Sequence, residues 1–100
     1  MSGVFGQRVV LGQGRGPDVE LRVTGTPLYA TYETLDGYPA VYDPYRELFC
    51  FARLSPEGAF LSTGVSVLSP PPAGLRRFAH ESDDVRAAKI AGLRRALGTR

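Results

Sequence analysis

Residues 28–54 read LYATYETLDGYPAVYDPYRELFCFARL, and this stretch decides the fold of the chain. It holds all five tyrosines of the sequence, and two turn signals divide it into three segments. Asp36-Gly37 readily supplies the positive φ that a tight hairpin needs. Asp43-Pro44 starts a second turn, with proline at its favoured second position. The stretch therefore predicts three short antiparallel strands.

The last of these segments, Leu48–Leu54, is apolar on both faces. Because successive side chains of a strand point to opposite faces, this pattern predicts a central strand that is covered on both sides. Upstream, Val19–Val23 alternates between apolar and charged residues, which predicts a strand with one buried and one wet face. It is expected to pair with Val4–Leu11 as a hairpin across the loop Gly12–Pro17.

Beyond the central strand, the pattern changes from strand to helix. Ala59–Leu68 predicts two short strands or a single strand interrupted by a glycine. Three prolines in Ser69–Pro72 end the β region, and Ala73–Ala79 is predicted to form one or two helical turns. Ser82 is a favoured N-cap for a helix that runs to about Leu97. The apolar stripe of this helix is narrow, so the helix is not expected to be strongly buried.

Together these patterns predict an α+β fold. It consists of a small antiparallel β-sheet or roll of five to seven short strands, followed by a proline break and one or two C-terminal helices. Residues 1–69 form the antiparallel β domain, and residues 70–100 form the proline connector and a basic C-terminal helical segment. A chain of 100 residues predicts that both parts belong to one domain.

Charge and composition narrow the classes of partner and compartment. Residues 1–75 carry five basic and seven acidic side chains, whereas residues 76–100 carry seven basic and three acidic ones. The acidic balance of the β part argues against nucleic acid as a partner. No apolar run of about 20 residues exists, so no membrane partner is predicted. The N-terminal sequence shows no signal peptide, and we expect a cytoplasmic location, with export by another route left open.

Three patterns that could carry chemistry have simpler interpretations. Cys50 could be a nucleophile with His80 as its base, but a lone cysteine among apolar residues is usually a core residue. His80 and Glu81 begin an H-E-x-x-H-like motif, yet its fifth position is Asp84 and the chain has one histidine. Gly12–Gly16 resembles a phosphate-binding loop, but a strand follows it rather than a helix. We therefore predict no catalytic, metal or cofactor residue.

Carboxylates and tyrosines leave a binding role open. Glu33, Asp36 and Asp43 could form a cluster for a cation or for acid–base chemistry, although the two aspartates are also ordinary turn residues. A tyrosine-rich sheet face is typical of a core or of a protein-binding surface. The candidate protein-contact residues are Tyr29, Tyr32, Asp36, Gly37, Tyr38 and Tyr42.

Several segments of the chain also carry a family resemblance. These segments are Gly16–Val23, Tyr29–Tyr38, Val41–Asp43, Phe49–Leu54, Ser62–Val65 and Glu81–Lys89. They resemble the N-terminal region of immune-inhibitor-A-like bacterial zinc metalloproteases, in which a segment of the kind G-x-x-Y-x-x-Y-E-T-x-D-G-Y precedes the protease domain.

The resemblance implies a non-catalytic pro-region or accessory domain that aids folding, keeps the protease latent or docks it to a partner. It implies a protein partner or a downstream protease domain, and no catalytic residue or cofactor in this chain. A turn carboxylate, Asp36 or Asp43, could then cover a zinc cleft. Two alternatives remain: a free-standing protein-interaction module and a small hydrolase that uses Cys50.

Overall fold

The structure is a computed structural model that describes residues 3–98, so Arg100 of the basic tail lies outside the described part. The strands are β1 (Val4–Gln13), β2 (Gly16–Thr26), β3 (Tyr29–Glu33), β4 (Pro39–Asp43), β5 (Leu48–Leu54) and β6 (Phe60–Ser66), and the helix is α1 (Asp83–Gly98). Each strand pairs antiparallel with the next one in the chain. The predicted α+β class, with its antiparallel sheet, proline break and C-terminal helix, is confirmed.

The first hairpin is longer than predicted and folds back on the sheet. β1 and β2 extend through most of the glycine-rich segment that was expected to be a loop, so that only Gly14 and Arg15 form the turn. The backbone N–H of Arg15 donates to the carbonyl of Glu47 at 3.0 Å. The Gln13 side chain accepts a hydrogen bond from the Phe49 N–H at 2.7 Å. These contacts hold the tip of the first hairpin against the β4–β5 turn and the start of β5.

The central strand β5 lies between β4 and β6 and is buried on both faces, as its apolar pattern predicted. On the inner face of the sheet, Phe49 packs with Val19, Leu21 and Ala40 to form the core. The outer face of the sheet carries the alternate side chains, such as that of Cys50. The segment that follows β6, residues 74–79, covers this face. Leu75 and Ala79 of this segment line a cavity together with Ala52 and Pro39.

Residues 69–82, here named the connector, are not helical, and the predicted turns of helix at Ala73–Ala79 were wrong. Gly74 and Phe78 have φ of 85° and 59°, which a right-handed helix cannot accommodate. The Phe78 N–H instead donates to the carbonyl of Gly37 at 2.8 Å. The hydrogen bond to the β3–β4 turn outweighs the weak local preference for helix.

Helix α1 begins where the sequence predicted, and it buries none of its residues against the sheet. The Ser82 hydroxyl accepts a hydrogen bond from the Val85 N–H at 3.2 Å, so Ser82 is the N-cap. No residue within Asp83–Gly98 is buried, which agrees with the narrow apolar stripe. No helix among residues 3–98 is long and apolar enough to cross a membrane.

Candidate functional site

A cleft of about 520 Å³ opens on the outer face of the sheet. We name it the outer-face cleft. It is bounded by the start of β1, the facing ends of β2 and β3, the end of the connector and the first turn of α1. Its lining combines three aromatic residues, Phe5, Tyr29 and Phe78, with the ionisable residues Glu33, Glu81, His80 and Arg86. A volume of this size is typical of a binding pocket for a side chain or a small molecule.

Two phenyl rings stand exposed at the cleft. The Phe5 residue is 92% exposed and Phe78 is 62% exposed. A bulge in β1 redirects Phe5: Gly6 has a φ of 64°, and its N–H donates to the Thr24 hydroxyl at 2.8 Å. Phe78 packs against Gly37, where an added Cβ would lie 2.6 Å from the ring atom Cζ. A glycine in the β1 bulge and a glycine in the β3–β4 turn therefore position the two rings.

Glu33 is the carboxylate of the cleft that lacks a partner. It is half-buried, and its side chain forms no hydrogen bond or ion pair with any of residues 3–98. The neighbouring cations are engaged elsewhere. Arg22, which is opposite Glu33 in the β2–β3 ladder, donates to the Gly6 carbonyl at 3.4 Å. Arg86 pairs with Asp83 at 2.7 Å.

Beside the cleft, Glu81 ties three elements of the fold together. One of its carboxylate oxygens accepts a hydrogen bond from the Tyr29 hydroxyl of β3 at 2.6 Å. The other accepts from the Phe60 N–H of β6 at 2.7 Å and pairs with Nζ of Lys89 in α1 at 2.6 Å. The Glu81 side chain is 2% exposed, whereas that of Lys89 is half-exposed. The carboxylate therefore anchors α1 to the sheet.

The ionisation of this network follows from its contacts. Burial alone raises the pKa of Glu81, but the hydrogen bonds from Lys89, Tyr29 and the Phe60 N–H together outweigh it and hold the pKa below its ordinary value. Burial, followed by the hydrogen bond to Glu81, raises the pKa of Tyr29 well above its ordinary value. At neutral pH Glu81 is an anion with its acceptors occupied, an arrangement that suits a structural contact better than proton transfer.

The predicted contact tyrosines divide between the two faces of the sheet. Tyr29 lies on the outer face and lines the cleft. Tyr32 and Tyr42 lie on the inner face, where their rings pack edge-on against Phe49 with centroids 5.5 and 5.1 Å apart. Tyr32 joins the rim of the core.

The remaining predicted contact residues lie at the β3–β4 turn. Asp36 is exposed, whereas Gly37 is buried beneath Phe78. The Tyr38 ring packs edge-on against Phe51, and the Arg77 guanidinium lies 5.1 Å from its centroid. The structure thus brings the turn and Tyr29 near the cleft but does not unite all six residues in one surface.

The groups considered for catalysis or metal binding are dispersed. Cys50 is 0% exposed within the sheet, while His80 is exposed at the cleft. The Asp43 carboxylate accepts from the Ser62 hydroxyl at 2.7 Å and from the N–H groups of Tyr45 and Arg46, and these bonds, led by that of Ser62, lower its pKa. Within the described residues, no three His, Cys, Asp or Glu side chains form a group that could hold a metal ion.

The sequence did not indicate the roles of Phe5, Phe78 or Glu81. The glycine after Phe5 breaks the alternation of the first strand and is the one local signal that its side chain is redirected. Glu81 has no such signal, because its sheet partners Tyr29 and Phe60 lie 52 and 21 residues away in the chain.

A comparison of the chain with protein-family models, curated proteins and solved structures finds no match in any of the three.

Proposed function

We propose that this chain is a non-catalytic domain that docks onto another protein through the outer-face cleft. The observation that carries the proposal is that two exposed rings, Phe5 and Phe78, line one cleft with Glu33, a carboxylate that has no partner among residues 3–98. Exposed aromatic rings at a concave site are typical of protein-binding surfaces, where one or two such residues supply most of the binding free energy.

The chemistry of the remaining groups supports a role without catalysis. A nucleophile and its base must lie within hydrogen-bonding reach and be accessible to substrate. Cys50 is enclosed in the sheet, and its Sγ has only the Leu48 carbonyl, at 3.8 Å, as a hydrogen-bond partner among residues 3–98. Glu81 already accepts three hydrogen bonds. The hydrolase alternative therefore gains no support from the geometry.

The resemblance suggests the kind of partner. In its finer form the proposal is that the chain acts as the pro-region or accessory domain of an immune-inhibitor-A-like zinc metalloprotease, in folding, latency or docking, with the protease domain as its partner. A free-standing interaction module would use the same cleft for a different protein. The two differ in whether the chain binds such a protease.

We expect the chain to bind, in trans, the isolated protease domain of an immune-inhibitor-A-like metalloprotease. Phe5→Ser should weaken this binding about tenfold or more, because truncating an exposed aromatic anchor removes about 1–2 kcal/mol or more of binding free energy. The measurement is the dissociation constant by isothermal titration calorimetry. Tyr45→Ser is the matched control, since Tyr45 is 95% exposed in the β4–β5 turn and lies outside the cleft.

The dissociation constants of the wild type and the two variants should be compared after circular dichroism has confirmed that both variants fold. If the wild-type chain does not bind the protease, the metalloprotease form of the proposal is wrong. If Phe5→Ser and Tyr45→Ser bind as the wild type does, the cleft is not the docking surface.

Latency makes a separate prediction about Asp36. Of the two turn carboxylates, Asp36 suits a contact with a partner's zinc better, because it is exposed and its side chain has no hydrogen-bond partner among residues 3–98, whereas Asp43 is held by Ser62. Asp36→Asn should raise the inhibition constant against the protease about tenfold, since it removes an anionic ligand. Glu57→Gln, another exposed turn carboxylate, is the control. Equal inhibition by both variants and the wild type would exclude this role for Asp36.

A further inference from the structure

We propose that the outer-face cleft binds a lysine side chain presented by an extended segment of the partner. This inference rests on the proposed docking function and assigns the chemistry of what the cleft recognises. It combines three observations: the aromatic lining, the unpaired carboxylate, and an open strand edge beside the cleft.

The aromatic lining suits a cation with an apolar stem. Phe5, Tyr29 and Phe78 contribute three rings to one cleft. Ring faces attract an ammonium group, and the aliphatic stem of a lysine gains free energy from leaving water at the same time. An exposed Phe5 ring is costly to keep in water, and a stem laid against it covers that surface.

The charge of the cleft indicates that its ligand is a cation. Glu33 is half-buried and has no partner in the part of the chain that the structure describes, which costs free energy that an incoming cation recovers. Of the cationic side chains beside it, Arg86 pairs with Asp83, and Arg22, which lies opposite Glu33 in the β2–β3 ladder, donates to the Gly6 carbonyl rather than to Glu33. A lysine Nζ placed at Glu33 would complete the remaining ion pair.

The edge of the sheet allows an extended segment to reach the cleft. β1 is an edge strand, and among residues 3–98 its backbone pairs with β2 alone. Phe5 and Gly6 belong both to β1 and to the cleft lining. An added strand along β1 can therefore place one side chain at the Phe5 end of the cleft. Its backbone would pair with β1 residues other than Gly6, because the N–H and C=O of Gly6 already bond Thr24 and Arg22.

The test is a titration of the isotope-labelled chain, followed by NMR, with three capped pentapeptides. Their sequence is Thr-Val-X-Val-Thr, where X is lysine, norleucine or glutamate. Norleucine retains an unbranched aliphatic stem without the ammonium group. We expect the lysine peptide to bind about tenfold tighter than the norleucine peptide, with shifts at Phe5, Glu33 and Phe78.

Glu33→Gln should remove the preference of the cleft for lysine over norleucine, and Glu57→Gln should retain it. If norleucine binds as tightly as lysine, if glutamate binds more tightly, or if no peptide binds, the inference is wrong. The inference and the docking function fail in different ways. A chain that binds the protease domain equally well with and without Glu33→Gln still docks, but not through a lysine.

Discussion

Replacing Gly25 with alanine is expected to lower the free energy of unfolding by more than about 3 kcal/mol. Gly25 has a φ of 136°, which L side chains rarely adopt. An added Cβ would contact the carbonyl oxygen of Tyr29 and lie 2.7 Å from the Ala30 Cα. Both are backbone atoms of the paired strand, so the clash cannot be relieved by a rotamer change and the β2–β3 hairpin must distort.

The matched control is Gly74→Ala. Gly74 also has a positive φ, of 85°, but apart from Gly74 and its two chain neighbours no atom of residues 3–98 lies within 4 Å of the Cβ that alanine would add. It should cost only the conformational strain of about 1–2 kcal/mol. The measurement is urea denaturation followed by circular dichroism. Equal losses in the two variants would show that φ alone, and not the close approach of β3, makes glycine necessary at position 25.

The sequence could predict those parts of the fold whose signals are local. The hairpin at Asp36-Gly37 and the two-sided burial of β5 were predicted correctly because their signals are local: a turn dipeptide and an apolar pattern. The connector was predicted wrongly, because Phe78 adopts a positive φ only where Gly37 accepts its hydrogen bond. Such a contact between distant residues leaves no mark in the nearby sequence.

The same difference between local signals and contacts of distant residues applies to the candidate site. Tyr29 could be singled out from its place in an aromatic strand, but its partner Glu81 could not. In the sequence, Glu81 lies beside His80 and suggested a metal motif. Only the folded chain brings β3, β6 and α1 around this carboxylate. Turn chemistry and alternation thus predict the sheet, while the outer-face cleft depends on tertiary contacts.

Glu81→Gln is expected to destabilise the fold by about 3 kcal/mol at neutral pH, because breaking a buried, hydrogen-bonded charge pair costs several kcal/mol. The variant loses the ion pair with Lys89 and one of the acceptors that serve Tyr29 and the Phe60 N–H. Asp84→Asn, at an exposed acid in the first turn of α1, should change stability by about 0.5 kcal/mol. If both variants unfold at the same urea concentration, the Glu81 network does not anchor the helix.

The pH dependence of the difference in stability between the wild type and Glu81→Gln tests the cause of that difference. The pKa of Glu81 is held below its ordinary value of 4.5 in the folded chain. The stability that Glu81 contributes is therefore fully present above pH 4.5 and is lost as the pH falls through the lowered pKa. The wild type and Glu81→Gln should differ by a constant amount near neutral pH and converge in acid. A difference that does not shrink in acid would show that packing, rather than the carboxylate charge, is responsible.

Tyr29 makes the stability of the fold depend on pH in the alkaline range as well. Its pKa is raised above its ordinary value of 10.0 by burial and by the hydrogen bond to Glu81. Above that pH the unfolded chain ionises this tyrosine while the folded chain keeps it neutral, so stability falls as the pH rises. Tyr29→Phe should be less stable than the wild type by about 1–2 kcal/mol at neutral pH and should lack this part of the alkaline loss. Because the same hydroxyl joins the cleft lining to the anchor of α1, an unchanged alkaline profile in Tyr29→Phe would mean that the two are not coupled through Glu81.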